Sequence, residues 1–143
     1  MPTVNKSVLV PYAAGRMFAL VERVEEYPDF LPWCGGALVH EREPLRMVAT
    51  LRIDYRGLRQ SFTTENLHEP GRSIRMRLRE GPFEQLDGIW RFIPLREDAS
   101  KVEFALEYAF AGTLLSRALA PVFDHIAGTF VDSFVRRAEG VYG

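Results

Sequence analysis

Cysteine is nearly absent: Cys34 stands alone in 143 residues, so the chain can form no internal disulfide and no cysteine-based metal site. Lysine is almost as scarce, with only Lys6 and Lys101 among 18 basic residues. The basic surface is therefore built from planar guanidinium forks, which suit phosphate and carboxylate. No apolar run is long enough to span a bilayer. The first residues also lack the charged and apolar regions of a secretory leader, so Met1 is expected to begin the mature protein in a reducing cytoplasm. Neither charge sign prevails, and a formal net charge of −1 argues against a protein drawn to nucleic acid by global charge. The histidines His40, His68 and His125 are scattered outside any metal-ligand spacing, so no metal is expected. No serine–histidine–acid order can be read either, and no catalytic residue is assigned.

What the chain does have is apolar area in unusual places. The run Tyr27-Pro28-Asp29-Phe30-Leu31-Pro32-Trp33-Cys34-Gly35-Gly36 puts aromatics beside two prolines and ends in two glycines. The prolines forbid a long regular helix, yet Phe30, Leu31 and Trp33 carry too much apolar area to sit in water. A short broken helix pressed onto a larger body meets both demands. It either walls a cavity or completes a solid core, and Gly35-Gly36 is expected to turn the chain.

Periodicity sets out the remainder. Val4 to Val10 reads as a strand, and Ala13 to Val24 as a helix with Met17, Phe18, Leu20, Val21 and Val24 on one side. A series of strands follows. Leu38 to Arg42 is short, whereas Arg46 to Arg56 and Leu58 to Leu67 form a hairpin about Gly57. In Ser73 to Arg79, Ile74, Met76 and Leu78 alternate with Arg75, Arg77 and Arg79. Leu86, Trp90 and Phe92 share a face of the next strand, where Gly88 leaves room for a bulge or a ligand. Val102, Phe104, Leu106, Tyr108 and Phe110 share a face of the last. From Leu114 the period becomes three and four: Leu115, Leu119, Phe123, Ile126, Phe130 and Phe134 mark a long amphipathic helix that Pro121 either kinks or starts. The expected fold is α+β, a curved antiparallel sheet of six or seven strands wrapped around a long C-terminal helix, with two short helices after the first strand.

Three stretches carry a family resemblance: Val24 to Cys34, Gly81-Pro82-Phe83 followed by Leu86 and Gly88 to Phe92, and the closing helix from Phe134 to Gly143. In these the chain resembles the polyketide cyclase, dehydrase and lipid-transport superfamily, with its START-like helix-grip fold. Within it the chain looks like the branch holding the mitochondrial coenzyme Q-binding START proteins and the bacterial RatA-type toxins. The resemblance implies that residues 1–143 form one START-like ligand-binding domain. From the mitochondrial relatives it implies ubiquinone or another polyprenyl quinone as ligand, bound in support of respiration. From the bacterial relatives it implies binding of the large ribosomal subunit and a block on subunit association. With no visible mitochondrial presequence, a bacterial source is favoured.

Candidate ligand-binding residues follow from the apolar faces. The broken segment offers Phe30, Leu31 and Trp33, and the first hairpin Leu51, Ile53, Tyr55 and Phe62. The later strands offer Met76, Leu78, Phe83, Trp90, Phe92, Phe104 and Tyr108, and the helix Phe123, Ile126 and Phe130. Tyr55, Tyr108 and the Trp90 indole would supply polar ends for a headgroup. The alternative is that these side chains simply fill one another's space. Access would run past Pro32-Trp33 and Gly81-Pro82-Phe83, with Phe83 and Trp33 touching a membrane during loading.

A second candidate is the arginine face of Arg75, Arg77 and Arg79, suited to RNA or anionic headgroups. Its alternative is a solvated face balanced by glutamates. Catalysis of a cyclase type is the third reading, with His125 and Cys34 as its only candidates. The chain is expected to be a monomer that binds without turnover and requires no cofactor, cytoplasmic and at most peripheral to the inner membrane.

Overall fold

A computed structural model describes residues 3–143 apart from the Leu115 side chain, so Met1 and the expected place of Leu115 on the apolar stripe lie outside what is described. Strand β1 (Thr3–Val10) leads into helix α1 (Ala14–Glu22) and a 3₁₀ turn (Val24–Asp29). Six strands follow: β2 (Cys34–Glu43), β3 (Arg46–Tyr55), β4 (Leu58–Glu69), β5 (Ser73–Glu80), β6 (Phe83–Arg96) and β7 (Ala99–Phe110). Helix α2 (Thr113–Tyr142) ends the chain. The strands form one antiparallel sheet in the order β1-β7-β6-β5-β4-β3-β2.

The period-two pattern determines which face is inner. Met47, Ala49, Leu51 and Ile53 of β3 lie opposite Asn66, Thr64, Phe62 and Gln60 of β4, and Ile74 of β5 lies opposite Trp90 of β6. One apolar face results, and α2 lies against it with Phe123, Ile126, Phe130 and Phe134 buried. The helix begins at Thr113 and passes through Pro121, which therefore does not start it.

Three details depart from the periodicity. Helix α1 stops at Glu22 rather than Val24, because Arg23 leaves helical geometry with φ −82° and ψ 67°. That break swings Tyr27 into the core against Phe130 and Phe134, where its hydroxyl donates to the Val21 carbonyl. Gly35-Gly36 does not turn the chain but lies in β2 at a bulge, with the Arg52 side chain crossing it and donating to the Gly35 carbonyl. Gly88 pairs in regular register with Met76 and Leu106, and the room it leaves is taken by the Met76 methyl, 2.7 Å from where a Cβ would stand.

Gly81, between β5 and β6, has φ +154°, and a Cβ there would lie 2.7 Å from the Phe62 Cβ. Gly81→Ala is expected to lower the unfolding free energy by about 2–4 kcal/mol, combining backbone strain with overpacking. Urea denaturation would measure it, and a loss under about 0.5 kcal/mol would mean that the turn relaxes freely.

Candidate functional site

A cavity of about 60 Å³ lies between sheet and helix. Eight of the expected residues line it: Trp33, Leu51, Phe62, Met76, Phe104, Phe123, Ile126 and Phe130. Leu31, Ile53, Phe83, Trp90, Phe92 and Tyr108 are buried in the packing around it rather than on its wall. Leu78 is partly buried against the core. Phe30 is partly buried too, set against Tyr27 and Phe134 with the Arg137 guanidinium 5.0 Å from its ring centre. Tyr55 lies on the helix side of the sheet but outside the cavity, stacked on His125 with ring centres 5.8 Å apart.

The polar groups on the wall are not those expected from the sequence. Trp90 Nε1 and the Tyr108 hydroxyl are buried without a partner among the described residues, but neither residue lines the cavity. The wall's polar side chains are Thr64 and Asn66 of β4, with Thr64 Oγ1 donating to Asn66 Oδ1 at 2.8 Å. Counting by twos from Phe62 would have found both, since Thr64, Asn66 and His68 share its face. Val24, Tyr27, Ala49, Leu86, Leu106 and Ala127 complete the lining. Small residues such as Ala49 and Ala127 carry no apolar signal of their own, yet their short side chains leave the space.

A second hollow of about 140 Å³ opens outside, between Pro32-Trp33, Tyr55 and the α2 residues His125, Thr129, Ser133 and Arg136. Trp33 and Ile126 line both hollows and so form the partition between them. Trp33 is 5% exposed and its indole N–H has no partner among the described residues. Phe83 is likewise 5% exposed. Cys34 is buried as well; burial pushes its thiol up, and Sγ donates to the Gly36 carbonyl at 3.3 Å. A thiol held protonated in this way is a poor nucleophile.

His68 lies on the inner face beyond the cavity, edge-on to Phe18, with Nδ1 3.9 Å from Glu22 Oε2. Burial pushes its imidazole below the ordinary range, opposed by the Glu22 carboxylate and helped by Arg42. Between its folded and unfolded pKa values the unfolded chain binds the extra proton, so His68 costs no stability above the unfolded value of about 6.5 and erodes it as pH falls toward the lower folded value. The melting temperature is expected to drop as pH falls below about 6.5, and His68→Gln should flatten that slope. An equal slope in both proteins would assign the effect elsewhere.

On the outer face, Arg75, Arg77 and Arg79 project side by side as the alternation requires. Arg75 Nη2 is 3.1 Å from Asp87 Oδ2, and Arg79 Nη1 is 3.4 Å from Glu65 Oε2. Among the described residues Arg77 has no carboxylate within ion-pair distance. The balancing-glutamate alternative thus holds for Arg79, while an aspartate answers Arg75.

The profile of the polyketide cyclase / dehydrase and lipid transport family matches residues 10–135. The chain belongs to this family. Its similarity extends nearly end to end to the ribosome association toxin RatA of Pseudomonas aeruginosa, 43% identical over 98% of this chain and 97% of the relative. The coenzyme Q-binding protein COQ10 homolog B of Xenopus laevis is 24% identical over 97% of this chain and 59% of the relative. Among solved structures, the 18 kDa protein CC1736 from Caulobacter crescentus superposes with TM-score 0.76 at 33% identity, covering 100% of this chain and 99% of that one. The Zhui aromatase/cyclase from Streptomyces sp. R1128 superposes with TM-score 0.84 at 19% identity over 96% and 93%, a likeness of fold alone. The polyketide-cyclase family thus confirms the helix-grip architecture, a sheet gripping one long helix.

Proposed function

We propose that this chain is a ribosome-associating protein of the RatA kind, which binds the large subunit and opposes its union with the small one. The observation that carries this reading is 43% identity to a protein named for ribosome association, spread over 98% of the chain. The protein acts by binding, without turnover or cofactor, and works in the cytoplasm where ribosomes are. Light scattering from purified 30S and 50S subunits raised to associating magnesium is the test. Excess protein should suppress the rise in scattering. An unchanged rise, with no protein sedimenting alongside 50S, would reject the reading.

The second reading keeps the cavity as a quinone site. It is supported by a largely apolar lining, to which Thr64, Asn66, Tyr27 and the Trp33 indole add polar groups, and by the likeness to a coenzyme Q-binding protein. At about 60 Å³ the cavity falls well short of the ~300 Å³ at which ligand pockets begin, so a prenyl tail must widen it, and Trp33 is the side chain it shares with the outer hollow that we expect to move. Each buried methylene gains about 0.8 kcal/mol toward that opening. A short-chain ubiquinone should bind the protein and bind Trp33→Ala more weakly. Equal affinity in the folded variant would remove Trp33 from the site.

A further inference from the structure

Helix α2 covers the inner face of the sheet, which leaves the outward residues of β3 to β6 without a covering element. The pairing register identifies these residues. Strand β3 presents Arg46, Arg52 and Asp54, and β4 presents Arg59, Glu65 and Glu69. Strand β5 presents Arg75, Arg77 and Arg79, with Glu80 at the bulge opposite Thr63; β6 presents Asp87 and Arg91. Even with exposed Glu84 at the β6 bulge, cations outnumber carboxylates on this face, in a chain whose formal net charge is −1. The flanking strands reverse the sign: β2 turns Glu41 and Glu43 outward, and β7 turns out Glu103 and Glu107 against Lys101 alone. A basic stripe therefore runs down the middle strands between two acidic margins.

Most of the stripe is internally balanced. Arg59 lies by Asp54, Arg75 by Asp87, and both Arg46 and Arg79 by Glu65; Arg52 is laid over Gly35. Arg77 and Arg91 are exposed and, among the described residues, have no carboxylate within 4.0 Å. They stand on adjacent strands, Arg77 opposite Asp87 and Arg91 four positions further along β6, about 14 Å apart at the strand rise and spacing of a sheet. A shallow hollow of about 210 Å³ lies over β7 between β1 and β6, lined by Arg75 and Arg91 together with Asp87 and Glu107.

We infer that this stripe is the surface that meets the ribosome, and that it grips the phosphate backbone of an RNA duplex through Arg77 and Arg91. The inference rests on the ribosome-associating reading above. Charge selects a polyanion, and two guanidinium forks free of internal partners are the groups able to take phosphates without first breaking an ion pair. The residue types select a duplex. No outward residue of β3 to β6 is aromatic, so the face has no platform for stacking splayed single-stranded bases, whereas an A-form helix is recognised through its backbone and shape.

The test is sedimentation of the purified full chain with purified 50S subunits between 50 and 200 mM KCl. The doubly reversed variant Arg77→Glu/Arg91→Glu should lose affinity on the order of tenfold or more and show a shallower salt dependence. The control Arg23→Glu/Arg117→Glu makes the same change in net charge at exposed positions on the helical layer and should bind like wild type. Arg77→Lys/Arg91→Lys should also bind, since a phosphate accepts either cation. If wild type binds and the reversed variant binds equally, this surface is wrong while ribosome association stands. If the control loses as much as the reversed variant, the effect is net charge and the surface is again wrong. Loss in the lysine variant would overturn backbone contact in favour of a protein partner that reads the fork. Failure of wild type to sediment would reject the parent reading and the surface with it. Because Arg77→Glu faces Glu65 and Asp87 and Arg91→Glu faces Glu103, the reversed variant should melt somewhat lower, and binding is compared at a temperature where thermal melts show every variant folded.

Discussion

Trp90→Ala is expected to lower the unfolding free energy by about 3–5 kcal/mol, the range for a large aromatic removed from a packed core. Trp90 is 0% exposed and touches both layers: its ring centre is 4.6 Å from Phe104 and 6.0 Å from Phe92 on the sheet, and 5.5 Å from Phe130 and 5.2 Å from Phe134 on α2. Its loss would leave a void between sheet and helix that neither layer can close alone, because β6 is tied on both sides to its neighbours. Against a typical total of about 5–15 kcal/mol, such a loss brings the chain close to unfolding at growth temperature. Trp90→Phe should cost much less, about 1 kcal/mol, because it also removes a buried indole N–H that has no acceptor. Chemical denaturation of the two variants would measure the difference. Equal losses would mean that the indole N–H has a partner after all and that packing alone does not explain its cost.

Phe130→Ala should destabilise somewhat less, by about 3 kcal/mol, since one side of the ring already borders empty space and makes no contacts there. The more telling consequence is functional. The cavity of about 60 Å³ would grow by the volume of the ring, still walled by Trp33, Phe104 and Ile126. An apolar void of that kind stays dry and takes up small hydrocarbons. Benzene is therefore expected to raise the melting temperature of Phe130→Ala and leave wild type unmoved, with about 2.7 kcal/mol recovered at a hundredfold excess over its dissociation constant. A variant that loses the stability but ignores benzene would show that α2 collapses onto the sheet. The same variant separates the two functional readings. Below its melting temperature it should still oppose subunit association, because the outer sheet face is untouched, while its affinity for a short-chain quinone should change.

Much of this molecule was legible in one dimension. The alternation of Ile74, Met76 and Leu78 with three arginines, and the three-four spacing from Leu119 to Phe134, identify a one-faced sheet and the helix that covers it. These patterns are local, and burial of one face per element follows from them directly. The broken segment was legible as an apolar insertion, but its chain path was not. Gly35-Gly36 reads as a turn until Arg52, from the neighbouring strand, is seen lying across it.

The site was legible in part. Composition and period determined by themselves which side chains turn inward, and so which of them were available to a cavity. Only the tertiary structure decided which of those inward residues touch empty space and which touch one another. Trp90 and Tyr108 point inward and are packed solid, while Thr64 and Asn66, two positions a hydrophobicity count passes over, stand at the wall. The reason is that a void is a mismatch between the curvature of a sheet and the line of a helix, summed over residues far apart in the chain. The outer face divides in the same way. Sequence spacing places three arginines in a row, but only the strand pairing brings Asp87 to Arg75 and Glu65 to Arg79, and leaves Arg77, across from both carboxylates, without an ion pair among the described residues.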